Sequence, residues 1–208
     1  MLSPEAWLPP PPDGTPVCAG FDGSLSDDWT CIRLETLDGF LFTPRYGPDE
    51  APTLWDPRQH GGFIPRDQVT VAWEEITRRY RLERAYCDPG FHDETSWETE
   101  IEAWATRWGD EVFVHWPTNQ VGRMFPAIRR LEADLKSGDV RHDGCPVTRR
   151  HVGNARKVPK SGDRYALGKP AQHQKIDAAV TTVLAHEAAC DARTAGWGSV
   201  EEEYTYVY

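Results

Sequence analysis

The first part of the chain alternates between short apolar runs and turn signals. The run PVCAGFD (Pro16–Asp22) is apolar, and TCIRLET (Thr30–Thr36) alternates between apolar and polar positions. An Asp-Gly pair at 38–39 is a hairpin signal, and residues 40–46 resume the strand pattern. We therefore predict three strands in an antiparallel meander, followed by a loop over the Pro-, Gly- and Asp-rich residues 47–62.

The rest of the chain switches between helical and strand periodicity. Apolar residues at helical spacing predict helices at 66–80, 97–108, 124–135 and 175–189. Asp93 or Thr95 is the expected cap of the second of these helices. Short apolar runs predict further strands at 82–88 and 111–116.

This order of elements predicts the fold class. Three consecutive strands favour antiparallel pairing, whereas the later alternation of strand and helix favours parallel strands joined by crossovers. We predict an α/β fold with a mixed five-stranded sheet and helices on both faces. Trp97, Trp104 and Trp108 form a stripe that could stack on nucleic-acid bases, but stripes at helical spacing usually pack in a core, and we expect that role here.

Composition indicates a globular protein with no secretion signal. The 208 residues are 39% hydrophobic, and no stretch approaches the ~18 apolar residues of a membrane span. The N-terminus has neither the basic nor the apolar region of a signal peptide, so a soluble intracellular protein without membrane contact is expected. Five cysteines without a C-x-x-C pair are expected to be reduced thiols.

The formal charge of −10 on its own argues against a nucleic-acid partner. The positions of the charged residues along the sequence change this inference. Residues 141–175 contain nine basic and two acidic residues, so this stretch carries +7 and the rest of the chain −17. Around Ser161-Gly162 the sequence predicts a hairpin. This hairpin would place its basic side chains close to the start of the last predicted helix, near Asp177. A solvated basic face is the alternative to DNA contact. The DNA-contact candidates are Arg149, Arg150, Arg156, Lys157, Lys160 and Arg164.

Three aspartates fall where such a fold brings side chains together. Asp22 and Asp88 end two predicted strands, and ligands of open α/β sheets bind at that edge. Asp177 lies in the apolar first turn of the last helix, where an unpaired carboxylate would be costly to bury. Three carboxylates suit Mg²⁺ or Mn²⁺. Taken singly, each aspartate could also be a plain turn residue or a helix N-terminal acid.

Several stretches, in order, carry a resemblance to a known family. They are PVCAGFDGSLSDDWT (16–30), RAYCDPG (84–90), GDEVFVHWPTN (109–119), RMFPAIRRLEADLKSGDVRHDG (123–144), RRHVGNA (149–155) and KIDAAVTTVLAHEA (175–188). Together they resemble the C-terminal nuclease domain of the large subunit of tailed-phage terminases, whose fold is RNase H-like. The metal-binding acids of that family fall on Asp22, Asp88 and Asp177 of this sequence.

The resemblance implies a divalent-metal-dependent endonuclease that cuts concatemeric double-stranded viral DNA during genome packaging. Two Mg²⁺ or Mn²⁺ ions would activate a water and stabilise the leaving 3′ oxygen, giving a 5′-phosphate end. The family also carries an acid near the start of its second strand, matched by Asp28, so Asp28 or Asp27 could reach a metal or lie in a solvated turn. His151, His173 and Lys175 are candidate proton donors or phosphate contacts, His173 and Lys175 also as secondary metal or supporting residues.

The resemblance further implies a domain organisation and partners. We expect a Pro-rich linker at 1–15, a nuclease domain at 16–190 and a tail at 191–208, which could dock on the portal protein or be an ordinary terminus. No G-x-x-x-x-G-K-[ST] motif occurs, so the ATPase motor is expected to be absent. The implied partners are double-stranded DNA, the portal protein and the terminase small subunit, in the host cell cytoplasm rather than in the mature virion.

Two other functions remain open on the sequence alone. The first is a non-catalytic RNase H-like docking domain that binds DNA or portal protein. The second takes GFDGS (20–24) as the phosphate turn of an actin-like nucleotide-binding fold, which would need a second Gly-rich turn for which 208 residues leave little room.

Overall fold

A computed structural model describes residues 7–90 and 96–199, and within these ranges the chain is a mixed α/β protein. The strands are β1 (Pro16–Asp22), β2 (Thr30–Thr36), β3 (Phe40–Phe42), β4 (Arg45–Tyr46), β5 (Ala51–Pro52), β6 (Leu54–Trp55), β7 (Arg81–Asp88), β8 (Phe113–His115), β9 (Arg141–His142), β10 (Arg156–Lys160) and β11 (Arg164–Gly168). The helices are α1 (Arg66–Arg79), α2 (Glu98–Trp108), α3 (Val121–Ser137), α4 (Pro146–Asn154) and α5 (Asp177–Thr194), with a short 3₁₀ helix at Pro57–Gln59.

The main sheet has the strand order β8-β7-β1-β2-β3-β9, and β6 also pairs with β2. Strands β1, β2 and β3 pair antiparallel, whereas β1, β7 and β8 pair in parallel. The predicted mixed sheet is therefore confirmed, and the five predicted strands are consecutive in it, from β8 at one edge to β3. The count of five was too low, because β6 and β9 add two strands of two residues each, too short to show an alternating pattern.

Three local predictions need correction. The predicted strand at 40–46 is two short strands, of which β4 pairs with β5 in a separate ribbon. The predicted loop at 47–62 contains β5, β6 and the 3₁₀ helix. Helix α4 was not predicted, because its buried side chains include the polar Thr148 and His151.

Hydrophobic side chains cover both faces of the sheet. On one face, α1 and α2 contribute Trp73, Trp97 and Trp104, and Phe21 of β1 makes edge-on ring contacts with all three. On the other face, α3 and α5 pack against the sheet, with Leu184 at the centre of α5. The tryptophan stripe is thus core, as predicted, and Trp108 packs against the same cluster.

The segment at 7–15, predicted as a linker, is hydrogen-bonded to the domain. The Leu8 amide donates to the Asp143 carbonyl over 2.7 Å, and the Gly14 amide donates to the Arg79 carbonyl over 2.6 Å. The helix cap expected at Asp93 or Thr95 and the tail from residue 200 lie outside the described residues.

All five cysteines are free thiols, as predicted. Among the described residues, none of the helices combines the length and the apolarity needed to cross a bilayer.

Candidate metal and catalytic site

The first two aspartates meet because β1 and β7 are parallel neighbours in register. Asp22 pairs with Asp88 in that register, so both carboxylates leave the sheet at the same edge. The chain must turn immediately after Asp22, and a Cβ at Gly23 would collide with the indole ring of Trp97. Only glycine therefore fits between the end of β1 and the core below it.

The third aspartate reaches this edge because α5 lies unusually close to β1. A Cβ at Gly20 would collide with the carbonyl oxygen of Thr181 and lie 2.5 Å from the amide nitrogen of Ala185. The missing side chain lets the helix backbone rest directly on the strand. Asp177, the first residue of α5, is thereby placed at the same cavity as Asp22 and Asp88.

Asp88 is held firmly by its neighbours. It is only 3% exposed, its Oδ1 accepts a hydrogen bond from the Gly90 amide (3.2 Å), and its Oδ2 accepts one from the Thr118 hydroxyl. Burial raises the pKa of Asp88, although these hydrogen bonds favour the charged form. Thr118 was not singled out from the sequence; the signal available was a hydroxyl residue just after a strand at the same sheet edge.

The Asp177 carboxylate is only partly satisfied by hydrogen bonds, which come from the backbone of Asp177 itself and of Trp29. It is 7% exposed, and its Oδ2 has no hydrogen-bond partner among the described residues. Burial and the nearby Asp28 raise the pKa of Asp177 to about 6. A buried oxygen without a donor is costly in a folded protein, and this atom is free to ligate a cation.

Mutual repulsion acts on Asp22 as well. Burial, followed by the charges of Asp88, Asp177 and Asp28, raises the pKa of Asp22 well above its usual range, and Lys169 opposes this only in part. Clustered carboxylates with raised pKa values need either protons or a cation between them. The all-oxygen donor set fits Mg²⁺ or Mn²⁺ rather than a thiolate-preferring metal.

The cavity above these acids is open to solvent and has a volume of about 510 Å³. Its lining includes Asp27 and Asp28 as well as Lys169, which directly follows β11. The Lys169 ammonium lies 2.6 Å from Asp28 Oδ1, and the Lys175 ammonium lies 2.7 Å from the same oxygen. Asp28 is thus at the cavity but engaged by two lysines, and its predicted metal contact stays a prediction.

The three residues suggested as proton donors or phosphate contacts occupy different environments. Lys175 also pairs with Asp27, 3.1 Å away, so it braces the wall of the cavity. His173 is exposed in the turn before α5 and does not line the cavity. His151 is buried, and its Nδ1 accepts a hydrogen bond from the Ala178 amide.

The environment of His151 corrects its proposed role as a proton donor. Burial lowers the pKa of His151 to about 4, so the ring is neutral at physiological pH. Its contact with the first turn of α5 makes it a positioning residue for Asp177 instead.

The six DNA-contact candidates lie outside the cavity. Arg149 and Arg150 are on α4, and Arg156, Lys157, Lys160 and Arg164 are on the β10–β11 hairpin, which confirms the predicted hairpin. The hairpin borders the cavity only through its last residues and Lys169. None of the six candidates lines the cavity, whereas Lys169, just after the hairpin, does. DNA contact by the six stays a prediction.

No protein-family model matches the chain. It is 33% identical over 196 residues to the Gene 13 protein of Mycobacterium phage D29 and 32% identical over 190 residues to the Gene 13 protein of Mycobacterium phage L5. These alignments cover 88% and 86% of this chain but only 31% and 30% of the relatives. The chain thus spans about a third of the length of the curated relatives it matches.

Solved structures decide the fold. The large terminase nuclease from thermophilic phage G20c, with bound magnesium, superposes with a TM-score of 0.63 at 15% identity, covering 88% of this chain and 93% of that one. The chain has the terminase nuclease fold. The HK97 large terminase (TM-score 0.64, 19% identity, 90% of this chain and 43% of that one) and the Thermus phage P74-26 nuclease domain (0.61, 14%, 88% and 90%) share it. The G20c nuclease is also known with bound cobalt.

Proposed function

We propose that this chain is a divalent-metal-dependent endonuclease domain that cuts double-stranded viral DNA during genome packaging. The observation that carries the proposal is the orphaned Oδ2 of Asp177 beside Asp22 and Asp88, in a solvent-open cavity. The terminase nuclease fold and the magnesium bound to the G20c nuclease support the same reading. A docking domain without catalysis would gain nothing from a costly cluster of buried carboxylates.

Each residue of the site has a distinct part in this function. Asp22, Asp88 and Asp177 would hold two Mg²⁺ or Mn²⁺ ions, which supply Lewis-acid activation of a water and charge stabilisation on the phosphodiester. Thr118 and Gly90 fix the orientation of Asp88 through their hydrogen bonds. His151 fixes the first turn of α5, and therefore the position of Asp177, relative to the sheet.

The substrate and partners follow from the same proposal. Contacts to the DNA backbone carry no base information, so cutting is expected to be independent of sequence. Hydrolysis would leave a 5′-phosphate and a 3′-hydroxyl end. We further propose that the domain acts in the host cell cytoplasm, together with the portal protein and the small subunit of a packaging complex.

A plasmid-nicking assay tests the catalytic assignment. The chain is incubated with supercoiled plasmid in Mg²⁺ or Mn²⁺, next to Asp88→Asn and to Asp139→Asn, which changes an exposed aspartate outside the cavity. We expect the wild type and Asp139→Asn to relax and linearise the plasmid, and Asp88→Asn to lose at least ~100-fold in rate. An inactive wild type under all metal and salt conditions, or full activity in Asp88→Asn, would contradict the assignment.

A further inference from the structure

A second cluster of ligating side chains lies far along α5 from the carboxylates. His186 and Cys190 are four residues apart on α5, so they share one helix face, and Asp134 of α3 lies opposite them. One ligand atom from each lies within 4.8 Å of the other two. His186 follows Asp177 by nine residues, which corresponds to about 14 Å along the helix axis.

The distances from His186 to the other two ligand atoms are close to those in a metal coordination shell. His186 Nε2 lies 3.0 Å from Asp134 Oδ2 and 3.4 Å from Cys190 Sγ. In a tetrahedral zinc site, bond lengths of about 2.0–2.3 Å separate the ligand atoms by roughly 3.3–3.6 Å. The two distances from His186 Nε2 are thus within about 0.3 Å of this range.

We propose that Asp134, His186 and Cys190 form a zinc-class metal site, separate from the catalytic carboxylates. A donor set of one nitrogen, one sulfur and one oxygen suits Zn²⁺ and excludes Mg²⁺ as a preferred occupant. The cavity over the cluster is polar and open to solvent, so water can supply a fourth ligand. This inference does not depend on the proposed nuclease function.

The hydrogen bond of His186 to Glu35 is typical of a metal-binding histidine. The histidine is fully buried, and its Nδ1 lies 2.8 Å from Oε2 of Glu35, which is also fully buried. When Nδ1 carries the proton and donates to Glu35, the lone pair of Nε2 points toward Asp134 and Cys190. A carboxylate on the far nitrogen is the usual arrangement behind a metal-binding histidine, because it fixes the tautomer and the ring.

Charge also balances around the cluster. Arg193 Nη2 lies 2.6 Å from the other oxygen of Glu35, and Arg193 Nη1 lies 3.8 Å from Cys190 Sγ. The guanidinium pairs with the buried Glu35 and also lies beside the Cys190 sulfur. With an ion bound in place of their protons, the sulfur of Cys190 and the carboxylate of Asp134 would supply two negative charges to a divalent cation.

A metal ion bound at this cluster would link two helices and stabilise the fold. An ion held by Asp134 of α3 and by two residues of α5 joins the two helices that cover one face of the sheet. Metal that binds only the folded chain stabilises it, so thermal stability is expected to rise with zinc concentration.

A cobalt titration of the metal-free 208-residue chain tests the site. Thiolate ligation of Co²⁺ produces a near-ultraviolet charge-transfer band that carboxylate sites lack, so the catalytic acids do not contribute to it. We expect one equivalent of Co²⁺ to produce the band, Zn²⁺ to abolish it, and Cys190→Ser to remove it. Asp139→Asn, which changes a carboxylate lining the same cavity, should keep the band.

Thermal melting gives a second readout that does not depend on the thiolate. Zinc should raise the melting temperature of the wild type and Asp139→Asn more than that of Cys190→Ser or of Asp134→Asn, a conservative change at a half-buried position. Removing a ligand should weaken zinc binding by more than about tenfold. Absence of the band in the wild type, its persistence in Cys190→Ser, or equal stabilisation of all variants would overturn the proposal.

Discussion

At the scale of single residues, Asp177 shows how an unsatisfied atom indicates function. Its carboxylate is buried beside two others, and one of its oxygens lacks a donor among the described residues. Its position in the sequence is compatible with two roles, that of an acid at a helix N-terminus and that of a metal ligand. Its burial and its unpaired Oδ2 favour the role of metal ligand, because a simple N-terminal acid would be exposed to solvent.

The raised pKa of Asp177 predicts how stability depends on pH. Its pKa rises from 3.8 to about 6 on folding, so between these values the folded chain binds more protons than the unfolded chain. Its contribution to stability is therefore fully present below pH ~4 and is lost as pH rises through ~6. In metal-free buffer, Asp177→Asn should melt higher than the wild type at pH 7.5, by roughly 2–8 °C.

Calorimetry at several pH values checks this prediction. The difference between wild type and Asp177→Asn should shrink toward zero near pH 4, and Mg²⁺ should stabilise the wild type but not the variant. Asp139→Asn, at an exposed position, should follow the wild type at every pH. If the wild type melts at a higher temperature than Asp177→Asn at pH 7.5 without metal, the charged Asp177 does not destabilise the fold, and the prediction is wrong.

The sequence could place the three acids but not the residues that hold them. Asp22 and Asp88 end strands whose limits are visible in the apolar pattern, and β1 and β2 have the predicted bounds. Thr118 touches Asp88 across 30 residues, and Lys175 touches Asp28 across 147. No periodicity connects positions so far apart, so these contacts become visible only in the folded chain.

At the scale of elements, the packing of α5 on β1 assembles the site. Strand β1 supplies Asp22, its neighbour β7 supplies Asp88, and the helix crossing them supplies Asp177. The contact depends on Gly20, whose missing side chain leaves room for the backbone of α5. Moving the helix outward would separate the third carboxylate from the other two.

Gly20→Ala tests this dependence. The new methyl group meets helix backbone rather than a flexible side chain, so α5 must shift. We expect a loss of about 1–3 kcal/mol in the free energy of unfolding and a larger fall in cleavage rate than the lost stability explains. Denaturant melts and plasmid cleavage at a temperature where the variant is fully folded measure the two effects.

The matched control is Gly122→Ala in α3, where nothing lies within 4 Å of the added carbon. That change should keep activity and be neutral or stabilising by up to about 1 kcal/mol, because alanine favours a helix. If Gly20→Ala keeps full stability and activity, the close approach of α5 is not what positions Asp177.

Helix α4 and strand β9 were not predicted from the sequence, and the physical reason is the same for both. Helix α4 buries Thr148 and His151, which bond to other parts of the chain, so it shows no apolar stripe. Strand β9 has two exposed residues and pairs with β3 at the sheet edge. Both elements are stabilised by partners distant in sequence, whereas the central strands and α1 to α3 show their burial in the residues themselves.

At the scale of the whole molecule, the negative total charge conceals two opposite regions. The acidic part includes the carboxylates of the cavity, and the basic part, residues 141–175, includes the hairpin beside it. Lys169 and Lys175 are paired with the acidic wall, and Lys157 is paired with Glu132. If the chain binds DNA as proposed, its attraction for DNA would come from other cations, such as the exposed Lys160 near the tip of the hairpin.

This arrangement predicts weak, salt-dependent DNA binding that improves with divalent metal. In an Asp88→Asn background, which prevents cleavage during the measurement, Lys160→Ala should weaken binding roughly fivefold to tenfold at 0.1 M salt. The slope of log K against log salt should become shallower by about 0.9, the value for one lost phosphate contact. Lys136→Ala, at an exposed position in the last turn of α3, is the control and should change neither quantity. Fluorescence anisotropy with two DNA duplexes of unrelated sequence measures these effects. An equal loss of affinity for both duplexes is expected for a contact to the DNA backbone. An unchanged salt slope, or a loss of affinity for one duplex only, would show that the hairpin is not part of the DNA-binding surface.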